Sequence, residues 1–307
     1  MSSLPAAVPA ILLAVPLLFA LLACFAWYTA RRVESLVPPT GEFVDVAGAR
    51  LHYVSRGEGP AVLLLHGLGG NLRHFHRMID SLAEGRRVIA LDSPGCGYSR
   101  MLDGGHVSLR RRADIVAAFI ERLQLEQVLV VGHSLGGALA LALALDHPQC
   151  LRGLLLLAPL SQPGKLKGLS LRAPIAQWLF AWTLLAPIGL LLHRASLRAA
   201  FAPDAVTPAF DMAGGGLLGY RPGNFINACR DAATASADLA AMVPRYPSLA
   251  LPVRILFARQ DGLLDHRVHG ERLAAALPQA TLELVDGGHM LPLAKAEEAM
   301  AWIREAA

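Results

Sequence analysis

The run Gly-His-Ser-Leu-Gly at 132–136 offers the clearest chemistry in this sequence. An apolar, strand-like run precedes it and an apolar helical pattern follows it. A serine on such a tight strand-to-helix turn exposes its hydroxyl, and Gly132 and Gly136 on either side of it avoid clashes there. The positive end of the helix dipole faces the oxyanion that forms when the serine attacks a carbonyl. The pattern predicts that Ser134 is a nucleophile.

A serine hydroxyl is a weak nucleophile unless a base takes its proton, and the base needs an orienting acid. His289 follows the last predicted strand and Asp261 follows the strand before it. Both therefore lie at the carboxyl edge of the predicted sheet, where ligands bind in open α/β folds. The order Ser134, Asp261, His289 is the order expected of such a triad. Asp265 remains an alternative acid.

A glycine-rich turn follows an earlier predicted strand and begins with His66 and Gly67. The backbone N–H of Leu68 in this turn is a candidate donor to the oxyanion, opposite the N–H of Leu135. The alternative is a plain tight turn without a catalytic part.

No other pattern of metal-ligating or nucleotide-binding residues accompanies this constellation. Four histidines with paired spacing lack a third ligand and are interpreted as surface or packing residues: His74, His76, His266 and His269. The four cysteines are scattered, which fits free thiols. Without a strand-linked Gly-x-Gly-x-x-Gly motif or P-loop, we expect no metal, no cofactor and no nucleotide.

Composition narrows the function classes further. The 307 residues are 54% hydrophobic and 17% charged, which excludes a disordered chain, and four cysteines are too few for a disulfide scaffold. The net charge of +4 is spread along the chain without a dense basic run, so a nucleic-acid partner is not expected.

The elements that must position these residues are short apolar runs alternating with helical patterns. This alternation predicts an α/β fold with a mostly parallel sheet and helices on both faces. We predict an edge hairpin at 42–54, strands at 61–65, 87–91, 127–131, 154–157, 253–257 and 281–285, and helices at 71–83, 109–123, 135–145, 266–277 and 292–306.

The N-terminal segment has no charged side chain before Arg31. Its apolar length is enough to cross a bilayer core of about 30 Å, and Trp27 and Tyr28 stand where an interfacial aromatic belt would lie. We predict a single-pass transmembrane anchor; a cleaved signal peptide and a buried core helix are the alternatives. Arg31 and Arg32 place the catalytic domain on the cytoplasmic side by the positive-inside rule.

The long gap between the strands at 154–157 and 253–257 must hold structure of its own. It predicts a helical cap, in which Trp178, Phe180 and Trp182 belong to an uncharged stretch at 173–192. This stretch is interpreted as a buried cap helix, as an amphiphilic lid or, less readily, as a second span. The predicted organisation is an anchor at 1–32, a linker at 33–41, a hydrolytic core at 42–160 and 251–307, and the cap at 161–250.

Taken together, residues 42–307 resemble the α/β-hydrolase superfamily. The resemblance rests on His66-Gly67, the run Asp92–Ser99, the turn at 132–137, Asp261 and His289, in matching order and spacing. It implies a helical cap insertion, with Ser134 as nucleophile, His289 as base, Asp261 as its orienter, and Leu68 and Leu135 as oxyanion donors. Family members often carry Gly three residues before the acid and Pro four after it, where this chain has Ala258 and Asp265.

The anchored layout looks like that of membrane-bound monoacylglycerol lipases and esterases. We therefore expect a membrane-anchored serine hydrolase whose partners are a lipophilic ester substrate and membrane lipid. The alternatives are a carbon–carbon bond hydrolase or a cofactor-free haloperoxidase on the same scaffold, and, less readily, a non-catalytic binding protein.

Overall fold

The structure is a computed structural model that describes residues 7–105, 108–164, 171 and 173–306. Within these residues nine strands form one sheet: β1 (Glu42–Val46), β2 (Ala49–Arg56), β3 (Ala61–Leu65), β4 (Arg87–Leu91), β5 (Arg100–Met101), β6 (Val128–His133), β7 (Leu151–Leu157), β8 (Val253–Ala258) and β9 (Ala280–Val285). The spatial order is β1-β2-β4-β3-β6-β7-β8-β9, with β5 paired to β2.

The pairing confirms the predicted mostly parallel sheet. β1, β2 and β4 pair antiparallel as the predicted edge hairpin and its neighbour, and every pairing from β4 through β3 to β9 is parallel. All residues of β3 and β6 are buried, as continuous Val/Leu runs in a doubly covered sheet require. The continuous run at 281–285 favours a strand buried on both faces, and this interpretation is wrong. β9 is an edge strand with no fully buried residue, and Thr281 and Glu283 are exposed.

The ten α-helices of the described residues are α1 (Ala7–Leu36), α2 (Ile79–Leu82), α3 (Leu109–Arg122), α4 (Leu135–Asp146), α5 (Pro174–Thr183), α6 (Leu185–Phe201), α7 (Pro222–Met242), α8 (Arg272–Ala276), α9 (Leu291–Ala294) and α10 (Ala296–Ala306). From Leu135 to Ala144 every residue of α4 is buried, which places this helix in the core beside β6.

Three predicted helices are interrupted, and the one at 292–306 is divided at Lys295 into α9 and α10. The segment 71–83 forms only a 3₁₀ turn at Leu72–Phe75 and the four-residue α2. The Leu72 N–H at the start of the 3₁₀ turn donates to Asp92 Oδ1 across the fold (2.7 Å). The segment 266–277 begins as a wide π turn at Arg267–Glu271, which brings Gly270 against the Phe257 ring before α8.

The segment between β7 and β8 is helical, without a strand among its described residues. A bend of 79° separates α5 from α6 at Leu184, so 173–192 is not one straight span. The remaining members of this segment are α7 and two 3₁₀ turns at Gly216–Tyr220 and Val243–Ser248.

Helix α1 packs one face against the rest of the protein and exposes the other, although most residues on both faces are apolar. Ala26, Thr29, Val33 and Val37 are buried against the rest of the protein, whereas the opposite face is exposed and apolar. Leu13–Leu36 is the one helix of the described residues that is long and apolar enough by itself to cross a membrane. The first six residues of the predicted anchor lie outside the described part of the chain.

Candidate active site

Ser134 occupies a strained turn between β6 and α4. Its backbone angles, φ 53° and ψ −119°, are costly for a residue with a Cβ. The turn is fixed by the Ser134 N–H, which donates to the Leu157 carbonyl (3.0 Å), and by the Ser134 carbonyl, which accepts the Leu160 N–H (2.9 Å). A Cβ on Gly132 would lie 2.5 Å from the Gly136 carbonyl oxygen, and one on Gly136 would overlap the Leu65 backbone. Both glycines are therefore required for the turn.

The turn after β3 lies directly against this serine, since a Cβ on Gly67 would be 3.0 Å from Ser134 Cβ. His66 holds the turn: its Nε2 accepts the Ser93 N–H (3.1 Å), so its Nδ1–H donates to the Gly67 carbonyl (2.8 Å). Burial lowers the pKa of His66 although the nearby Asp92 opposes this, so the ring is neutral in that role.

The bond from His66 also orients the peptide that follows Gly67. In a trans peptide the N–H points away from the carbonyl, so fixing the Gly67 carbonyl on His66 turns the Leu68 N–H to the opposite side. Leu68 and Leu135 both line the cavity that contains Ser134. Within the described residues, no turn or loop hydrogen bond uses the N–H of either leucine. Both groups are available to an oxyanion.

His289 and Asp261 form a buried pair at the carboxyl edge of the sheet. His289 Nδ1 lies 2.6 Å from Asp261 Oδ2, and the Asp261 side chain is fully buried. Asp261 Oδ1 accepts the N–H groups of Leu263 (2.8 Å) and Leu264 (2.9 Å). Burial by itself raises the pKa of Asp261, but the hydrogen bond and charge of His289 with these two N–H groups outweigh it and lower the pKa. Asp261 is thus an anionic acceptor.

The alternative acid, Asp265, points elsewhere. It is exposed, and its Oδ1 accepts the Arg267 N–H (2.9 Å) at the start of the following helical turn. Its geometry is that of a helix cap, which supports Asp261 as the partner of His289.

Ser134, His289, Leu68 and Leu135 line one cavity of about 300 Å³. Its other walls are mostly apolar and include Leu160, Leu197, Ala200, Phe210 and Met290. Since α6 supplies two of these side chains, the helical segment between β7 and β8 covers the cavity. Such a pocket suits an apolar substrate with few polar groups.

The three predicted lid residues are not part of this lining. Trp178 stacks on Phe19 of α1 with 6.1 Å between ring centroids, and Phe180 stacks on Phe225 of α7 at 5.2 Å. Trp182 lines a separate cleft of about 750 Å³ beside Trp27. The aromatic composition of the stretch could not indicate which helix would face the cavity.

His74 was interpreted from the sequence as a surface or packing residue, and that interpretation is incomplete. It is buried, 8% exposed, and lines the cavity. Its Nδ1 has no hydrogen-bond partner among the described residues. Burial is the main cause that holds the pKa of His74 well below its usual value, so the ring is neutral. The spacing argument missed it because residues 71–83 do not form the predicted helix.

His133 is a second histidine, next to Ser134 in the sequence, whose side-chain contact the sequence did not indicate. Its Nε2 lies 2.9 Å from the His289 carbonyl and donates to it, which ties the loop of the candidate base to the candidate nucleophile turn. Burial lowers the pKa of His133 to about 3, so this donor stays neutral over the working pH range.

The second pair of histidines, His266 and His269, packs against neighbouring groups as predicted. His269 Nδ1 accepts the Ser161 N–H (3.2 Å), and His266 lies 3.4 Å from Glu271.

A buried ion pair holds the helical segment on the core. Arg112 of α3 and Asp231 of α7 are 2.6 Å apart and almost wholly buried. Among the described residues, no group of three or more side chains is arranged to hold a metal ion.

Comparison with known proteins shows the family to which the chain belongs. A family model described as "alpha/beta hydrolase fold" matches residues 60–296. A magnesium-chelatase 30 kDa subunit of Rhodobacter capsulatus is 31% identical over 237 residues, which cover 76% of this chain and 82% of that protein.

A second relative matches only locally. The dihydrolipoyllysine-residue acetyltransferase component of an acetoin cleaving system from Cupriavidus necator is 40% identical over 121 residues, 39% of this chain. The matched part spans about a third (32%) of that relative's length. Among solved structures, a membrane phospholipase A described as a bacterial virulence factor is 20% identical with a TM-score of 0.65, covering 97% of this chain and 95% of that one.

Proposed function

Because the chain belongs to the α/β-hydrolase fold family and is a hydrolase, we propose that it cleaves lipophilic carboxylic esters through Ser134, Asp261 and His289. One observation carries this proposal: a serine on a strained turn and a histidine bonded to a buried carboxylate line the same apolar cavity. This is the arrangement of an activated nucleophile, a base and the group that orients the base.

The proposed reaction has two halves. Ser134 Oγ attacks the ester carbonyl carbon while His289 Nε2 takes the hydroxyl proton, and the oxyanion accepts the N–H groups of Leu68 and Leu135. The intermediate collapses as His289 passes its proton to the leaving oxygen, which releases the alcohol and leaves an acyl-enzyme. Water then attacks the acyl carbon, His289 takes its proton and returns it to Ser134, and the carboxylic acid leaves. Asp261 keeps the His289 Nδ1–H in place throughout.

The membrane setting belongs to the same proposal. The outer face of α1 is apolar and exposed along a length that suits a bilayer, and Trp27, Tyr28, Arg31 and Arg32 follow in the order of an interface. We infer a single-pass anchor with the catalytic domain on the cytoplasmic side, acting on esters dissolved in the membrane. An apolar cavity beneath a partly exposed helical segment supports a lipophilic substrate.

A substrate panel on membrane fractions tests the reaction class. We expect full-length protein to hydrolyse fatty-acyl esters, including monoacylglycerols, and Ser134→Ala to abolish this. Vinylogous diketones in the same panel test carbon–carbon bond cleavage. Turnover of those diketones without turnover of any ester would overturn the ester assignment while leaving the triad intact.

The anchor is tested separately by removing residues 1–18. This deletion spares Phe19 and the buried stripe of α1, so the catalytic domain keeps its contacts. We expect long-chain esters in vesicles to lose far more turnover than a soluble short-chain ester. Equal losses on both would contradict delivery of the substrate from the membrane.

A further inference from the structure

The two helices α5 and α6 expose an unusual amount of apolar side chain. Ile175 is 75% exposed and Leu191 is 82% exposed, and five neighbours are between 41% and 49% exposed: Trp178, Leu179, Leu184, Leu190 and Leu192. A contiguous surface of this kind marks a site that contacts a protein or a membrane.

This apolar surface is continuous with the candidate membrane helix. α5 packs along α1, and the rings of Trp178 and Phe19 stack at 6.1 Å. Further along both helices, Trp182 and Trp27 line one cleft together with Arg31. α5 therefore follows α1 in the same direction, and its N-terminal end points toward the N-terminal end of α1.

The contact between Trp178 and Phe19 also indicates how deep α5 would lie in the bilayer. If Trp27 and Arg31 lie at the membrane interface, Phe19 is eight residues further into the bilayer, about 12 Å at the rise of an α-helix. That is most of the way through one leaflet of a hydrocarbon core about 30 Å thick. Trp178 lies beside Phe19, and Ile175 lies almost one turn closer to the N-terminal end of α5. These side chains would stand below the headgroup layer, among the acyl chains.

We propose that α5 and the apolar first half of α6 are inserted beside α1 in the leaflet that faces the catalytic domain, so that this part of the cap is a permanent membrane-embedded element. The inference rests on the proposed membrane anchor and names the surface that shares the bilayer with it. α5 itself runs toward the interface, and the 79° bend after it turns α6 away from this direction. The exposed Arg194 and Arg198 follow the last leucines of the patch. Basic side chains at that level suit lipid headgroups.

Insertion places the lipid next to the cavity wall. Leu197 and Ala200 line the cavity from the second half of α6, about one and a half to three turns beyond the exposed leucines at 190–192. A lipophilic ester leaving the acyl-chain layer at α6 would meet this wall without crossing water.

Tryptophan fluorescence tests the depth directly, because the chain has four tryptophans in distinct places. Full-length protein carrying Ser134→Ala, which spares the lipid, is made with one tryptophan retained and the others changed to Phe. It is reconstituted in phosphatidylcholine vesicles brominated either near the headgroup or deep in the acyl chains. The matched control retains Trp302, which packs under Arg254 and donates to Glu283 on the sheet edge.

We expect deep bromines to remove most of the Trp178 emission, shallow bromines to act most on Trp27, and neither to affect Trp302. Trp178 emission that follows Trp302, or that responds only to shallow bromines, would overturn the inference. Leu191→Cys labelled with an environment-sensitive dye, with Cys24 and Cys150 changed to Ser so that they do not react, provides a second measurement if the tryptophan set fails to fold. Crosslinking between two copies at this cysteine, without a dye response to lipid, would show that a second copy covers the apolar surface of α5 and α6. That result would also overturn the inference.

These outcomes are independent of catalysis. Loss of ester hydrolysis in Ser134→Ala concerns the proposed function, whereas quenching depth concerns only the position of α5 and α6, so either result is interpretable when the other fails.

Discussion

Replacing Asp261 by Asn isolates the orienting acid with almost no change in shape. One Asp261 oxygen accepts the N–H groups of Leu263 and Leu264, so the carbonyl oxygen of the new amide is held at that position. The amide NH₂ must then face His289 Nδ1, where the carboxylate oxygen stood at 2.6 Å. Two donors would meet, and the imidazole must shift its proton to Nε2, the nitrogen that serves Ser134. The base is lost while the fold is kept.

The expected size of this effect follows from the wrong tautomer. The corresponding change in a serine-protease triad lowers kcat about 10⁴-fold, with geometry intact, which corresponds to about 5 kcal/mol of transition-state stabilisation. We expect Asp261→Asn to show that loss with little change in KM, measured by hydrolysis of a chromogenic short-chain ester in detergent. The matched control is Asp265→Asn, whose amide oxygen can still accept the Arg267 N–H, and it should keep activity near that of the wild type. Near-normal turnover in Asp261→Asn together with a large loss in Asp265→Asn would refute the assignment.

The other predictions concern groups that the sequence left unexplained. His66→Leu releases the Gly67 carbonyl and misplaces the Leu68 N–H, one of the two oxyanion donors. The kcat for the short-chain ester should therefore fall about 10²–10³-fold with KM nearly constant. A change in KM without a change in kcat would contradict this. Arg112→Met removes the buried ion pair with Asp231 and should cost about 3–5 kcal/mol of unfolding free energy. In chemical denaturation, the double variant with Asp231→Leu should regain most of this loss. A double variant as unstable as the single variant would contradict the prediction. His74→Leu removes an unpartnered buried nitrogen and should stabilise the fold by about 1 kcal/mol or more. Because the pKa of His74 is lowered in the folded state, the wild type loses stability as pH falls below the unfolded value near 6.5. The stability advantage of the variant should therefore grow by up to about 1.4 kcal/mol per pH unit on acidification. Thermal unfolding of both proteins at about pH 8 and about pH 5.5 measures this, and the same stability difference at both pH values would contradict it.

The sequence was sufficient to predict those parts of the fold and site that a short local pattern determines. The glycines around Ser134 admit only a tight turn, and the Val/Leu runs of β3 and β6 are stable only when both sheet faces are covered. The placement of His289 and Asp261 after the last two strands was equally readable, because the carboxyl ends of parallel strands meet at one edge.

What the sequence could not supply depends on contacts between distant segments. The helix predicted over 71–83 is replaced by a short 3₁₀ turn and α2, and the start of this turn is bonded to Asp92 of a distant segment. His74 in this turn lines the cavity. The choice between Asp261 and Asp265 required knowing which carboxylate is turned toward His289. Hydropathy alone likewise could not reveal the 79° bend in 173–192, nor that α6 rather than the aromatic side chains of α5 covers the cavity.

The central claim is that Ser134 is a nucleophile activated by His289, and covalent labelling measures this most directly. Membrane fractions containing the full-length protein would be treated with a fluorescent fluorophosphonate, and the labelled residue identified by mass spectrometry. We expect rapid labelling at Ser134, none in Ser134→Ala, and strongly slowed labelling in His289→Ala. Absence of label on a folded wild-type protein, or label that persists unchanged in Ser134→Ala, would contradict the account.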